Sequence, residues 1–150
     1  MKNYTCCCVG HRDVYENINE KLKTAVEEAI VSGCSLFITG GNGEFDLIFA
    51  NTVKMLKTEG RDIKLVLKLP YFISDLNTNK EHYRNLYDEV IISERTQGVH
   101  YKRAISLRNR LMIEESELVI AYVRREFGGA YKALKYAEKL DKRIVNLAER

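Results

Sequence analysis

The chain has 150 residues, with 24 Lys and Arg against 21 Asp and Glu, so its formal net charge at neutral pH is +3. Hydrophobic residues at 45% and charged residues at 30% exclude general disorder and suit a domain that buries its own core. No apolar run approaches the roughly 20 residues of a membrane helix, and the opening stretch Met1 to Cys6 lacks a long apolar segment behind it, so the expectation is a cytoplasmic chain with no membrane partner.

Tyr4 to Val9 is a short β-rich run closed by Gly10. Asn17 followed by Glu20 has capping-box character, and Ile18, Leu22, Ala25, Val26, Ala29 and Ile30 then recur at helical spacing until Gly33. Cys34 to Thr39 is a second apolar run, followed by Gly40-Gly41-Asn42-Gly43 and a second helical pattern from Phe45 to Leu56. Ile63 to Leu69 predicts a third strand, ended by Pro70. Thr78 to Leu86 predicts a hydrated helix, and Val90 to Ile92 a brief fourth strand. A helix from about Val99 to Glu115, a fifth strand from Leu118 to Val123, a helix opened by Gly128-Gly129 and a last strand from Ile144 to Leu147 complete the chain. Strands alternating with helices of these lengths predict an α/β fold: one Rossmann-like domain over residues 1–150, a mainly parallel sheet with helices on both faces.

The four cysteines, Cys6-Cys7-Cys8 and Cys34, contain no C-x-x-C spacing. Consecutive strand residues point to opposite faces, so three in a row do not chelate one ion together. The expectation is small buried hydrophobes in a reducing compartment and no metal site. His11, His82 and His100 show no ligand spacing either. Lys and Arg are interspersed with Asp and Glu, and composition therefore disfavours a nucleic-acid partner.

Ligands of open parallel sheets bind beyond the carboxyl ends of the strands. Three loops there carry the chemistry: Gly10-His11-Arg12-Asp13, Gly40-Gly41-Asn42-Gly43-Glu44-Phe45-Asp46, and Arg124 to Ala130 with Gly128-Gly129. Glycine lets a backbone approach a ligand, and each helix opened by such a loop offers free N–H groups and a positive dipole end to a phosphate. None of the three is a G-x-G-x-x-G or a G-x-x-x-x-G-K-[ST] loop, so classical dinucleotide and P-loop readings lose their support.

Cys7-Cys8-Val9-Gly10-His11-Arg12 resembles the opening GHR strand and loop of YpsA-like proteins, a branch of the SLOG superfamily. Thr39 to Asp46 is similar to that branch's second glycine loop, Arg108 to Ile113 to its RN..M helix, and Ser116 to Tyr122 with Gly128-Gly129 to its fifth strand and third loop. The resemblance implies a Rossmann-like nucleotide-binding domain related to the LOG phosphoribohydrolases and to the Rossmann domain of DprA, and with right-handed crossovers it implies strands one and five side by side, with strands two and three beyond strand one. Of the LOG motif P-G-G-x-G-T-x-x-E, Phe127 to Lys132 keeps only the paired glycines, so neither the phosphate-binding Thr nor the catalytic Glu has a counterpart.

Arg12 suits a bidentate contact with phosphate, and His11 a contact with phosphate or base. Glu44 and Asp46 either accept from ribose hydroxyls, serve as nucleophile or base at a glycosidic carbon, or complement the helix dipole. Asn109 is unfavourable inside a helix, which invites a structural hydrogen bond or a ligand contact; Arg108 precedes it. Arg124 and Arg125 either reach an anion or form a solvated turn. The candidate ligand-binding set is thus Gly10, His11, Arg12, Gly40, Gly41, Asn42, Gly43, Arg108, Asn109, Gly128, Gly129 and Ala130, with Glu44 and Asp46 the candidate catalytic pair. Three functions stay open: a sensor or sponge that binds a nucleotide-derived molecule such as an ADP-ribose-like one, an N-glycosidic or nucleotide hydrolase, and a protein-interaction module with a vestigial pocket. A nucleotide-derived ligand stands in the place of a cofactor, and a homodimer is the default association.

Overall fold

A computed structural model describes residues 3–148. Six strands, β1 (Tyr4–Gly10), β2 (Cys34–Thr39), β3 (Lys64–Leu69), β4 (Glu89–Ile92), β5 (Leu118–Tyr122) and β6 (Arg143–Asn146), form one sheet in the order β4-β3-β2-β1-β5-β6. Every pairing is parallel. The helices are α1 (Asn19–Val31), α2 (Glu44–Thr58), α3 (Asp75–Thr78), α4 (Lys80–Leu86), α5 (Tyr101–Glu114) and α6 (Gly129–Lys139). This is the expected Rossmann-like α/β fold. Among the described residues no helix is long and apolar enough to cross a membrane.

The sheet separates two cores, and strand alternation assigns residues to them. Cys6 and Cys8 pack with Leu22 and Val26 of α1 and Phe45, Phe49 and Val53 of α2. Cys7 and Val9 pack on the opposite face with Met112 and Ile113 of α5 and Ala133, Leu134 and Ala137 of α6. The central position of β1 explains why Cys6 to Val9 read as an unbroken apolar run: both faces are covered, and all four residues are buried. All four cysteines are buried free thiols.

Two local expectations are corrected. Asn17 does not cap α1. Ile18 occupies the cap position, and the Asn17 carboxamide Oδ1 accepts from the Asn19 N–H at 3.1 Å, one step too early for a capping box. The helix expected over Thr78 to Leu86 is two short helices that meet at Asn79. There the Asp75 carboxylate takes the Asn79 amide at 2.5 Å and the Tyr83 hydroxyl at 2.6 Å, holding the break.

The chain runs outward from β1 to β4, then crosses back to lay β5 against the other side of β1. The carboxyl ends of β1 and β5 are therefore the topological switch point of the sheet.

Candidate functional site

Register brings the loops together. Gly10 pairs with Tyr122, and the His11 N–H extends the ladder to the Tyr122 carbonyl at 3.2 Å. The segments after β1 and β5 thus leave the sheet side by side. The loop after β2 is clasped to the first by two bonds: the Glu44 N–H donates to the Arg12 carbonyl at 2.8 Å, and the Val14 N–H donates to the Glu44 carboxylate at 2.8 Å. Between the loops lies a cavity of about 270 Å³. Gly10, His11 and Arg12 form one wall, Asn42 and Asp46 a second, Arg108 and Asn109 a third, and Gly129 and Ala130 a fourth.

Arg108 organises this site from inside the protein, with 1% of its surface exposed. Its Nη1 donates to the Gly40 carbonyl at 3.0 Å and the Lys68 carbonyl at 3.1 Å. Its Nη2 donates to the Asn42 side-chain carbonyl at 2.6 Å, and its Nε to that of Asn109 at 3.0 Å. A planar fork with several fixed donors suits this task, and an ammonium would not match it. The unfavourable Asn109 is thereby explained as a hydrogen-bond partner of its neighbour, which also faces the cavity.

Asp46 is buried beside it. One carboxylate oxygen accepts from the Asn42 N–H at 2.8 Å and the other from the Cys8 thiol at 3.4 Å. Burial pushes its carboxyl pKa above the ordinary range, against the pull of the Asn42 N–H and the Arg108 charge. Burial and the Asp46 charge together push the Cys8 thiol well up, so Cys8 stays protonated and is no nucleophile. Glu44 is placed differently. It lies outside the cavity, exposed, with its carboxylate on Val14.

His11 is 6% exposed, propped edge-on by the Tyr122 ring at 5.9 Å, which in turn stacks on Phe45 at 5.8 Å. Its Nε2 accepts from the backbone N–H groups of Arg124 at 2.8 Å and Arg125 at 3.4 Å. Burial, then the Arg125 and Arg124 charges, hold its pKa below the usual value. A neutral ring whose Nε2 accepts carries its proton on Nδ1. That nitrogen lies 3.3 Å from the Arg125 guanidinium Nη2. Two donors therefore converge at the cavity wall, an arrangement that an anion oxygen lying across both satisfies.

Acidification tests this state of His11. Its folded pKa lies below its unfolded value of about 6.5, so the unfolded chain binds more protons in the interval between them. The stability contributed by neutral His11 is full above the unfolded value and is lost as pH falls through the folded one. Thermal melts of the wild type are expected to drop more steeply between about pH 7 and pH 5 than those of His11→Gln. Parallel profiles would refute the lowered pKa of His11.

The cavity is electrically polarised. The first turn of α2 contains Glu44 and Asp46, which already complement its dipole. The first turn of α6 holds no acidic residue, and its cap, Gly128, makes no side-chain cap bond. Arg12, Arg125 and His11 line the same cavity as Gly129, the first residue of that helix.

Of the candidate residues, Gly40, Gly41, Gly43, Gly128 and Glu44 do not line the cavity. The glycines of the second loop answer to packing. A Cβ on Gly40 would stand 2.6 Å from the Arg108 guanidinium carbon, and one on Gly43 2.6 Å from the Arg12 Cα. Of the candidate glycines, only Gly128, at φ +94°, and Gly129 face open space. Cys8, Val9 and Ile105 line the cavity without having been candidates, and of the two arginines expected either to reach an anion or to form a solvated turn, Arg125 lines it. Arg125 left a signal, a cation ahead of a glycine pair; Ile105 left none.

The chain belongs to the YspA SLOG family, which matches residues 8–146. No curated protein matches it. Among solved structures it is similar to DNA processing protein A of Helicobacter pylori, described for a unique single-stranded DNA binding mode. That likeness has a TM-score of 0.69 at 18% identity and covers 95% of this chain and 64% of that one. It is also similar to DNA processing protein A (DprA) of Streptococcus pneumoniae, with a TM-score of 0.68 at 14% identity, covering 95% of this chain and 49% of that one. The chain thus spans less than two thirds of either protein, and at such identities the likeness is one of fold. The DNA-binding neighbour makes doubtful the compositional expectation against a nucleic-acid partner.

Proposed function

We propose, from family membership and the polarised cavity together, that the chain binds a nucleotide-derived anion such as an ADP-ribose-like molecule, as a sensor or sponge for it. The observation that carries this reading is that His11, Arg125, Arg12 and Gly129 at the uncomplemented α6 N-terminus line one cavity. A phosphoryl group suits these donors. The same cavity offers Asp46 and Asn109 to ribose hydroxyls. A volume of about 270 Å³ is small for a ligand pocket and suits a sugar-phosphate unit.

Binding is favoured over hydrolysis by the placement of the two acids. Glu44 is tied to the Val14 N–H outside the cavity, which leaves Asp46 alone, and both its oxygens already accept bonds. Titration calorimetry with AMP and ADP-ribose is expected to register binding, and Arg125→Ala is expected to weaken it about 10- to 100-fold, the worth of a hydrogen bond to a charged group. No heat with either ligand at millimolar concentration would sink the proposal. Release of free base, abolished in Asp46→Asn, would replace it by the hydrolase reading.

A further inference from the structure

A second hollow, about 330 Å³, lies between α5 and α6 and shares Asn109 and Gly129 with the switch-point cavity as a common wall. Its charged lining is wholly basic: Arg110 from α5 and Lys132, Lys135 and Lys139 from α6. The three lysines recur at i, i+3 and i+7, which sets them on one helix face. Arg110 rests over the Tyr136 ring at 4.9 Å, and Lys135 is 3.5 Å from Glu138. Among the described residues Lys132 and Lys139 have no ion-pair partner. In a chain whose surplus is only +3, four cations around one groove are a local concentration of charge.

We propose that this groove is the second half of the binding site and receives a second phosphoryl group, so that the ligand is a bisphosphorylated or diphosphate-bridged nucleotide rather than a monophosphate. The inference rests on the reading that the switch-point cavity takes the first phosphoryl group. Lys132 stands three residues along α6 from Gly129, about 5 Å of helix rise, within reach of a group that follows the first phosphoryl. Tyr131 offers its hydroxyl to whatever the second phosphoryl carries.

The test is calorimetry of the wild type, the Lys132→Ala/Lys139→Ala double variant and Arg125→Ala, each with AMP, ADP-ribose and a short single-stranded oligonucleotide. Both lysines are exposed, so the double variant keeps the fold. The wild type is expected to prefer ADP-ribose over AMP by about tenfold or more, the double variant to lose that preference while AMP affinity stays unchanged, and Arg125→Ala to weaken both ligands. Equal affinity for AMP and ADP-ribose in the wild type, or a preference that survives the double substitution, overturns the inference and leaves the nucleotide reading standing. Failure of the wild type to bind either nucleotide ends both. An oligonucleotide that binds more tightly than ADP-ribose, with that affinity lost in the double variant, overturns the inference in favour of a nucleic-acid groove.

Discussion

Arg108→Ala is expected to cost about 3–5 kcal/mol of stability, the usual penalty for removing one partner from a buried charged network. The guanidinium binds four acceptors from three parts of the chain: Gly40 and Asn42 after β2, Lys68 in β3, and Asn109 beside it on α5. Truncation leaves these acceptors without their donor and removes the positive charge nearest Asp46, whose burial already penalises its ionised form. For a chain of this length about 2–4 °C of melting temperature accompanies each kcal/mol, so a fall of roughly 10 °C is expected in a thermal melt. Arg108→Lys retains a charge but not the fork, and is expected to fall between the two. An alanine variant within about 1 kcal/mol of the wild type would show that the guanidinium does not hold the loop.

Gly10→Ala is expected to be the next most damaging change. The added Cβ would stand 2.2 Å from the Phe45 ring Cδ2 and 2.5 Å from its Cγ. The ring has nowhere to retreat, being fully buried and stacked on the buried Tyr122. Overpacking of this kind costs about 1–3 kcal/mol and at times more. Phe45→Ala removes the Cγ and Cδ2 that meet the new Cβ. A double-mutant cycle is therefore expected to show the two substitutions together costing less than their sum, with a favourable coupling of about 0.5 kcal/mol or more. Strict additivity in urea denaturation would contradict the clash. Gly10 also forms a wall of the cavity, and the change is expected to weaken nucleotide binding in whatever protein remains folded.

Much of the architecture could be read from the residues themselves. A strand covered on both faces must be apolar throughout, which is why Cys6 to Val9 declared itself as a central strand. Glycines close the runs at Gly10 and Gly40, and parallel crossovers admit few arrangements, so the placing of β1 beside β5 followed from handedness taken together with the family resemblance. Local hydrogen bonding at helix ends was less legible. Whether Asn17 caps a helix or merely turns the chain before it depends on where Ile18 is pulled by the core, to which Ile18 contributes a fully buried side chain.

Sequence by itself determined the fold class, the strand order about β1 and the three loops on one rim, because burial and backbone chemistry write themselves into residue type at short range. Tertiary structure alone decided which members of those loops face the cavity. Glu44 and Asp46 carry the same charge two positions apart, yet two helical steps turn the chain by about 200°, so one meets solvent and Val14 while the other meets Cys8 and Asn42. Arg108 and Arg125 are likewise indistinguishable as letters. One is sealed under the second loop and the other stands at the cavity wall beside His11, because burial depends on what the rest of the chain packs around each side chain.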